Sequence, residues 1–300
     1  MNIDVLIAVL SWEARYLIGL KKNLDLYKPS KAIIFFYNNP QTEDWKVENL
    51  EETKKILGDK LLLITLELKP QFNWAVYKNL FEEHCIKKNV IVDISTMTRE
   101  SIWLTLYNCK KYSCPTSFVY YKPKSYNDWI SRDPDKPRLL YKMSGIAKLG
   151  TPTLLVITAG YDIQRLDNLI FNFEPKQTMV FFQHVSDERN KKNFDNCKIF
   201  CKEKYNINML FEYDAYDMKS SFATIESKLT AIEPETNSSY LENYNVILNS
   251  LGPKTSAITL FELWLKYPQI ALSYIPSKEY NRDYSTGVSE NLYDKIDLGI

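Results

Sequence analysis

The chain has 300 residues, 45% of them hydrophobic and 14% aromatic, enough to build substantial cores and to exclude global disorder; the length suggests two domains. Lys and Arg number 38 against 37 Asp and Glu, so the formal charge of +1 predicts no broad nucleic-acid surface. An odd set of five cysteines, no basic leader and no apolar run long enough to span a bilayer predict a cytoplasmic protein that uses no membrane.

Short apolar runs at 5–10, 32–37, 61–68, 90–94 and 117–121 alternate with helical spacing over 13–26, 42–57, 73–86 and 98–109. Continuous apolar strands separated by helices predict βαβ units, hence a mostly parallel sheet of about five strands with helices on both faces. The second half repeats the order, with strands at 154–158, 178–183, 208–213, 244–249 and 270–275. The fold class expected is therefore α/β, two tandem Rossmann-like units.

The halves align in detail. VLIAV followed by LSWEARYL matches LLVIT followed by AGYDIQRL at an offset of 149, setting Trp12 against Tyr161 and Glu13 against Asp162. The fifth strands and their tails, FVYYKPKSYN and LSYIPSKEYN, match at 154. Drifting offsets of 146 to 156 are what loop insertions after a duplication produce. Pro and Gly in 136–152 mark the junction. The expected division is 1–140 for the first unit, 141–152 for a linker and 153–300 for the second.

In open α/β sheets ligands bind beyond the carboxyl ends of the strands, where helix N-termini present N–H groups to anions. After the first strand, Ser11 is placed to cap a helix, Trp12 to stack on a base and Arg15 to meet an anion; Tyr161 is the aromatic counterpart in the second half. After the fourth strands, Asp93-Ile94-Ser95-Thr96-Met97-Thr98-Arg99 and Asn249-Ser250-Leu251-Gly252-Pro253-Lys254-Thr255 concentrate hydroxyls and a cation in a strand-to-helix turn. Gly252 permits close backbone approach, Pro253 suits a first helical turn and Lys254 can neutralise a phosphate. The plain alternative is a pair of capped helices with surface cations. Neither turn has Walker A or dinucleotide-fingerprint spacing.

A strand ending in Asp or Asn, a Ser/Thr/Gly turn and then Lys or Arg opening a helix resembles the ligand motif of CARF-type sensor domains. These are Rossmann-like domains of CRISPR and other prokaryotic defence systems that bind cyclic oligonucleotides across a two-fold interface. Ser250, Gly252, Lys254 and Thr255 stand where that family has a Gly-Thr-Lys segment, and Thr96, Thr98 and Arg99 occupy the corresponding place in the first half. The chain departs in having Gly-Pro-Lys in one half and no glycine in the other. The resemblance implies a nucleotide or cyclic-oligonucleotide ligand, a tandem pair acting as a pseudo-dimer with one composite cleft, and an effector protein partner.

Three functions compete on this sequence: a sensor of a phosphate-bearing ligand in antiviral defence, an enzyme acting on such a ligand, and a non-catalytic interaction subunit. No catalytic residue is assigned, and no cofactor is implied. His84 and His184 are read as structural, Cys197 and Cys201 lack a second pair to make a zinc site, and Glu51, Glu52, Asp187 and Glu188 as solvated helix faces.

Overall fold

The computed structural model describes residues 3–68, 70–127, 129–184 and 188–299. Asp187 lies outside them. Along the chain come β1 (Val5–Val9), α1 (Ala14–Tyr27), β2 (Lys31–Asn38), α2 (Glu43–Leu57), β3 (Leu61–Glu67), α3 (Pro70–His84), β4 (Val90–Asp93), α4 (Arg99–Lys111), β5 (Thr116–Lys122) and β6 (Ser125–Tyr126). Next are β7 (Ser131–Pro134), β8 (Arg138–Leu139), β9 (Thr153–Ala159), α5 (Ile163–Phe173), β10 (Gln177–Gln183), α6 (Glu188–Tyr205), β11 (Leu210–Tyr213) and α7 (Met218–Leu229). The chain continues with α8 (Tyr240–Asn243), β12 (Asn245–Ser250), α9 (Thr255–Lys266), β13 (Ala271–Tyr274), β14 (Ser277–Tyr280), β15 (Ser285–Thr286) and β16 (Glu290–Lys295).

The chain divides into two compact units, Met1–Ile130 with Asn281–Ile300, and Ser131–Tyr280. The first holds a six-stranded sheet in the order β3-β2-β1-β4-β5-β16, the second a sheet in the order β11-β10-β9-β12-β13-β8. In each, five strands run parallel and the sixth is antiparallel. The α/β class and the mostly parallel sheets expected from the apolar runs are those observed.

Burial explains the pattern. VLIAV of β1 is buried along its whole length, as is VIVD of β4, because helices cover both faces of the sheet centre. The outer strand β3 is mostly half-buried. Leu6, Ala8, Leu20, Ile34, Ile91 and Tyr121 form one core layer of the first unit. Leu155, Ile157, Leu166, Leu169, Val180 and Phe182 do the same in the second. Helix endings match as well: α1 closes on Lys28 at φ 45° and α5 on Glu174 at φ 42°, each left-handed and each returning its N–H to the preceding turn.

The sixth strands carry a topological detail that the apolar pattern does not reveal. The segment after β5 supplies β7 and β8 to the second unit, while the segment after β13 and β14 supplies β15 and β16 to the first. Their ladders are related by a constant shift of 154 residues. Tyr126↔Ser285 and Ser125↔Thr286 in the first unit become Tyr280↔Ser131 and Glu279↔Arg132 in the second. Likewise Tyr120↔Leu292 and Val119↔Tyr293 become Tyr274↔Arg138 and Ser273↔Leu139. Backbone conformation follows the same shift, since Gly287 at φ 56° corresponds to Asp133 at φ 49°.

The stretch 141–152, expected as a linker, lies within the second unit. Leu140 and Met143 are buried, and Leu140 N–H donates to Leu272 O at 2.9 Å while Leu272 N–H donates to Met143 O at 2.8 Å. Gly145, at φ 66°, sits so close to the 269–271 backbone that a Cβ would lie 2.4 Å from Gln269 O. Only glycine fits there.

Candidate functional site

In each sheet the strand order reverses between the first and fourth parallel strands, so their exits are neighbours: β1 beside β4, β9 beside β12. That is the crevice position where doubly wound sheets bind ligands. Four helix N-termini face these exits in sequence: α1 and α4 in the first unit, α5 and α9 in the second.

In the first unit, Thr96 Oγ donates to Val9 O at 2.6 Å and ties the β4 exit to the end of β1. Thr98 caps α4, accepting the Ser101 N–H at 3.1 Å, and Arg99 opens the helix half-buried. Tyr37, at the end of β2, hydrogen-bonds Ser101 Oγ at 2.6 Å; burial pushes its phenol up to about 12. Trp12 stands edge-on to Trp45 at 5.2 Å and to Tyr284 at 6.3 Å, and its indole N–H donates to Arg282 O at 2.9 Å.

Ser11 is not the cap of α1. The helix starts at Ala14 with Glu13 in the cap position, and Ser11 Oγ instead accepts the Glu13 N–H at 3.3 Å. Two extra residues between strand and helix turn the serine inward. Arg15 is likewise drawn inside: its guanidinium is 2% exposed and pairs with the Glu13 carboxylate. Burial is the largest influence and opposes the Arg15 charge, yet Glu13 together with Tyr284, Tyr120 and Tyr126 outweighs it and holds the guanidinium protonated. Ser285 Oγ donates to Glu13 at 2.6 Å, the Tyr284 hydroxyl donates to the same carboxylate, and Arg15 donates to Tyr284 at 3.1 Å. The cluster therefore fastens β15 to the start of α1.

The second unit contains the counterpart. Asp162 caps α5, accepting the Arg165 N–H at 3.0 Å, and its carboxylate lies 3.2 Å from the Arg165 guanidinium. Arg165 donates to Ser131 at 2.8 Å and to Ser277 at 2.9 Å. Ser131 is the residue that the 154-residue shift relates to Ser285. Alignment at constant offset hides this arginine, because Arg15 follows its acid by two residues and Arg165 follows Asp162 by three.

The acid and amide that end the fourth strands also turn inward. Asp93 accepts Asn23 Nδ2 at 2.8 Å and the Ser95 N–H at 3.0 Å, and the Tyr121 hydroxyl donates to Asn23 at 2.8 Å. Burial raises the Asp93 carboxyl, while Ser95, Asn23 and Arg15 pull it the other way. Asn249 donates to Ser273 O and Oγ, both at 2.9 Å.

Gly252 N–H donates to Thr158 O at 2.8 Å beside the Leu251 N–H at 2.9 Å, so this turn lies against the end of β9 main chain to main chain. Ser250 Oγ meets Ser256 Oγ at 2.8 Å, and Thr158 Oγ donates to the same serine at 3.0 Å. Thr255 is wholly buried, and its hydroxyl has no hydrogen-bond partner among the described residues. Lys254 occupies the cap position of α9 in helical backbone conformation, half-buried, with no acid in the first turn. Tyr161 packs on the apolar core, its ring 5.2 Å from Phe194. Strand order thus brings Trp12 near the Thr96–Arg99 turn, and Tyr161 near the Ser250–Thr255 turn. Arg15, Ser250 and Thr255 are built into the protein interior.

Lys46, on α2, is a buried cation that the sequence did not mark. Its ammonium donates to Tyr37 O at 2.9 Å over the Phe36 ring at 4.9 Å, and burial lowers it from 10.5 to about 8, against the pull of Glu43. Between those two values the unfolded chain holds a proton that the folded chain has released, so stability rises with pH across that window. Below pH 8 the penalty is present in full. Lys46→Met should therefore stabilise the protein by about 1 kcal/mol at pH 7, with the difference from the parent vanishing toward pH 10.5. Urea midpoints measured for both proteins from pH 7 to 10.5 check this, and a gap independent of pH refutes it.

The fold and the site define a chain of two doubly wound α/β units, each with its reversal-point crevice flanked by helix N-termini. No protein-family model and no curated protein matches the sequence. Among solved structures, a type III CRISPR defence DNA nuclease activated by cyclic oligoadenylate aligns at TM-score 0.53 and 8% identity, over 86% of this chain and 63% of that one. The chain thus spans less than two thirds of that nuclease, and the likeness is one of fold. The cytoplasmic domain of a prokaryotic cation chloride cotransporter aligns at TM-score 0.31 and 10% identity, covering 94% of this chain and 99% of that one. A putative universal stress protein from Pseudomonas aeruginosa UCBPP-PA14 aligns at 0.29 and 11%, covering 90% and 92%. Among the described residues no helix is long and apolar enough to cross a membrane, and no cluster of His, Cys, Asp and Glu suits a metal ion.

Proposed function

We propose that the chain is a sensor of a nucleotide-type, phosphate-bearing ligand, built by tandem duplication of one Rossmann-like unit and serving prokaryotic antiviral defence. The duplication is supported by the equal strand orders and by ladders that interconvert under a shift of 154 residues.

The observation that carries the ligand reading is the placement of Lys254 and Arg99. Each stands at the N-terminus of the helix that follows the fourth strand, beside the crevice where strand order reverses. A cation there opposes the helix dipole by about 0.3–1 kcal/mol. An anionic ligand would reverse the sign of that term and pair with the cations. A cyclic oligoadenylate is the ligand chemistry of the solved nuclease with this fold. Output in this reading passes to an effector protein.

The test is calorimetric titration of the purified chain with cyclic tetra- and hexa-adenylate, with mononucleotides as controls, repeated on Lys254→Ala and Arg99→Ala. Loss of a charge-assisted contact is expected to weaken binding about 10- to 100-fold in each. Chromatography of the recovered ligand separates binding from cleavage. No binding by the folded parent, or equal binding by both variants, refutes the reading.

A further inference from the structure

Residues 139–149 of the second unit combine two properties that rarely occur together: they are firmly held, and they present large apolar side chains to water. Lys148 N–H donates to Asn245 Oδ1 at 2.7 Å, and Asn245 Nδ2 donates to the carbonyls of Lys148 at 3.0 Å and Thr151 at 2.9 Å. Ile146 N–H donates to Gln269 O at 3.1 Å. With Leu140 and Met143 buried beneath and Gly145 against the 269–271 backbone, the segment has little freedom. Yet Leu139 is 42% exposed, Tyr141 60%, Ile146 74% and Leu149 fully exposed. Anchoring a loop in this way gains nothing from leaving Ile146 and Leu149 in water, since polar residues would serve the same backbone. A firmly held segment that keeps apolar side chains in water is the form of a pre-organised protein-binding surface.

The charges select the occupant. From 136 to 161 the chain carries Lys136, Arg138, Lys142 and Lys148 and no acidic residue. Glu242 of α8 comes near Lys148, whose ammonium donates to Glu242 O at 3.4 Å, so Lys142 is the cation further from that acid. The Lys142 ammonium lies over the Tyr141 ring at 5.1 Å, so apolar and cationic groups intermingle. The same segment includes β8, the last strand of its sheet. Antiparallel pairing alternates inward and outward main-chain groups: Leu140 N–H turns to β13, and Leu139 turns its own N–H and C=O to the open edge. A peptide satisfies an edge of that kind, whereas a lipid surface does not.

We infer that this face docks an acidic polypeptide segment of a partner protein, with apolar side chains seated on Tyr141, Ile146 and Leu149 and carboxylates facing Lys142 and Lys148. The surface lies within the second unit and does not depend on the ligand reading above.

Selection of a displayed random-peptide library on the full chain tests it. Enriched peptides are expected to alternate carboxylates with Leu, Ile or Phe. Their affinity should fall about tenfold or more on the double variant Ile146→Glu with Leu149→Glu, and similarly on Lys142→Glu with Lys148→Glu. Both variants change exposed side chains, so unaltered melting confirms that the loss is local. No enrichment, or enriched peptides indifferent to all four substitutions, overturns the proposal. So does sedimentation with phosphatidylserine vesicles, or a dimer in light scattering, that the Ile146/Leu149 variant abolishes. Those outcomes assign the face to a membrane or to a second copy.

Discussion

Arg15→Ala should lower the stability of the first unit by about 3–5 kcal/mol, among the largest effects of any single side-chain truncation in the chain. Both members of the pair are nearly inaccessible, 2% for the guanidinium and 4% for the Glu13 carboxylate. Removing the arginine leaves a buried carboxylate whose hydroxyl donors, among them Ser11, Tyr284 and Ser285, do not supply the missing charge. Glu13→Ala should be equally damaging, whereas the double variant should cost less than the two separately, since it strands no charge. The C-terminal segment ought to respond too, because β15 is held by this cluster. Hydrogen exchange should show loss of protection in 281–295 before the rest of the unit opens. Five of the six tryptophans, at 12, 45, 74, 103 and 129, belong to the first unit, so their fluorescence in urea reads its unfolding. Arg165→Ala in the second unit provides the comparison. Its side chain is 13% exposed and Asp162 is 21% exposed, so water relieves part of the stranded charge and the loss should be smaller. If Arg15→Ala shifts stability by less than about 1 kcal/mol, the ion pair is not what fastens the C-terminal segment.

The sequence disclosed the sheets because its signal was unambiguous there. Runs such as VLIAV and VIVD are apolar without alternation, which only a strand covered on both faces requires. The tails matching at an offset of 154 were legible as a repeat, but the strands that follow them, β7 and β8 after one tail and β15 and β16 after the other, were not legible as given to the other unit. Ser125–Tyr126 and Ser285–Thr286 are two residues long and carry no periodicity, so pairing partners are decided by tertiary register alone. The same limit applies to the site. Hydroxyls and cations in 93–99 and 249–255 marked the turns after β4 and β12, and the strand order places those turns at the reversal point. Residue type, however, does not say which way a side chain faces. Arg15 and Thr255 read as available polar groups, yet one is consumed by Glu13 and the other is buried at the start of α9. Ser131 and Ser285, which complete the two acid–arginine clusters, had no sequence mark beyond their equal spacing.

Gly160→Ala should destabilise the second unit by about 3–5 kcal/mol, and for a reason of space rather than conformation. A Cβ on Gly160 would lie 2.2 Å from Leu251 O and 3.0 Å from Leu251 C, both main-chain atoms that cannot swing away. Relief requires the exits of β9 and β12 to separate. That movement stretches the bonds from Leu251 N–H and Gly252 N–H to Thr158 O, now 2.9 and 2.8 Å, in a region closed to water. Gly252→Ala meets Ala159 O at 2.9 Å and the Tyr213 hydroxyl at 3.3 Å, a milder conflict, and should cost about 1–3 kcal/mol. Gly150→Ala separates space from strain: nothing lies within 4 Å of its Cβ, but its φ of 76° should still cost about 1 kcal/mol. The expected order is therefore 160, then 252, then 150, measured as thermal shifts of the second unit. The first unit solves the same problem differently. With no glycine in 94–98, Thr96 reaches across to Val9 O through its side chain, so the turn there is held by a hydroxyl that substitution can remove without a clash. If Gly160→Ala proves no worse than Gly150→Ala, the main chains at the two exits are not in the tight contact that positions the Ser250–Lys254 turn. The case for a rigid cradle at Lys254 would then fall with it.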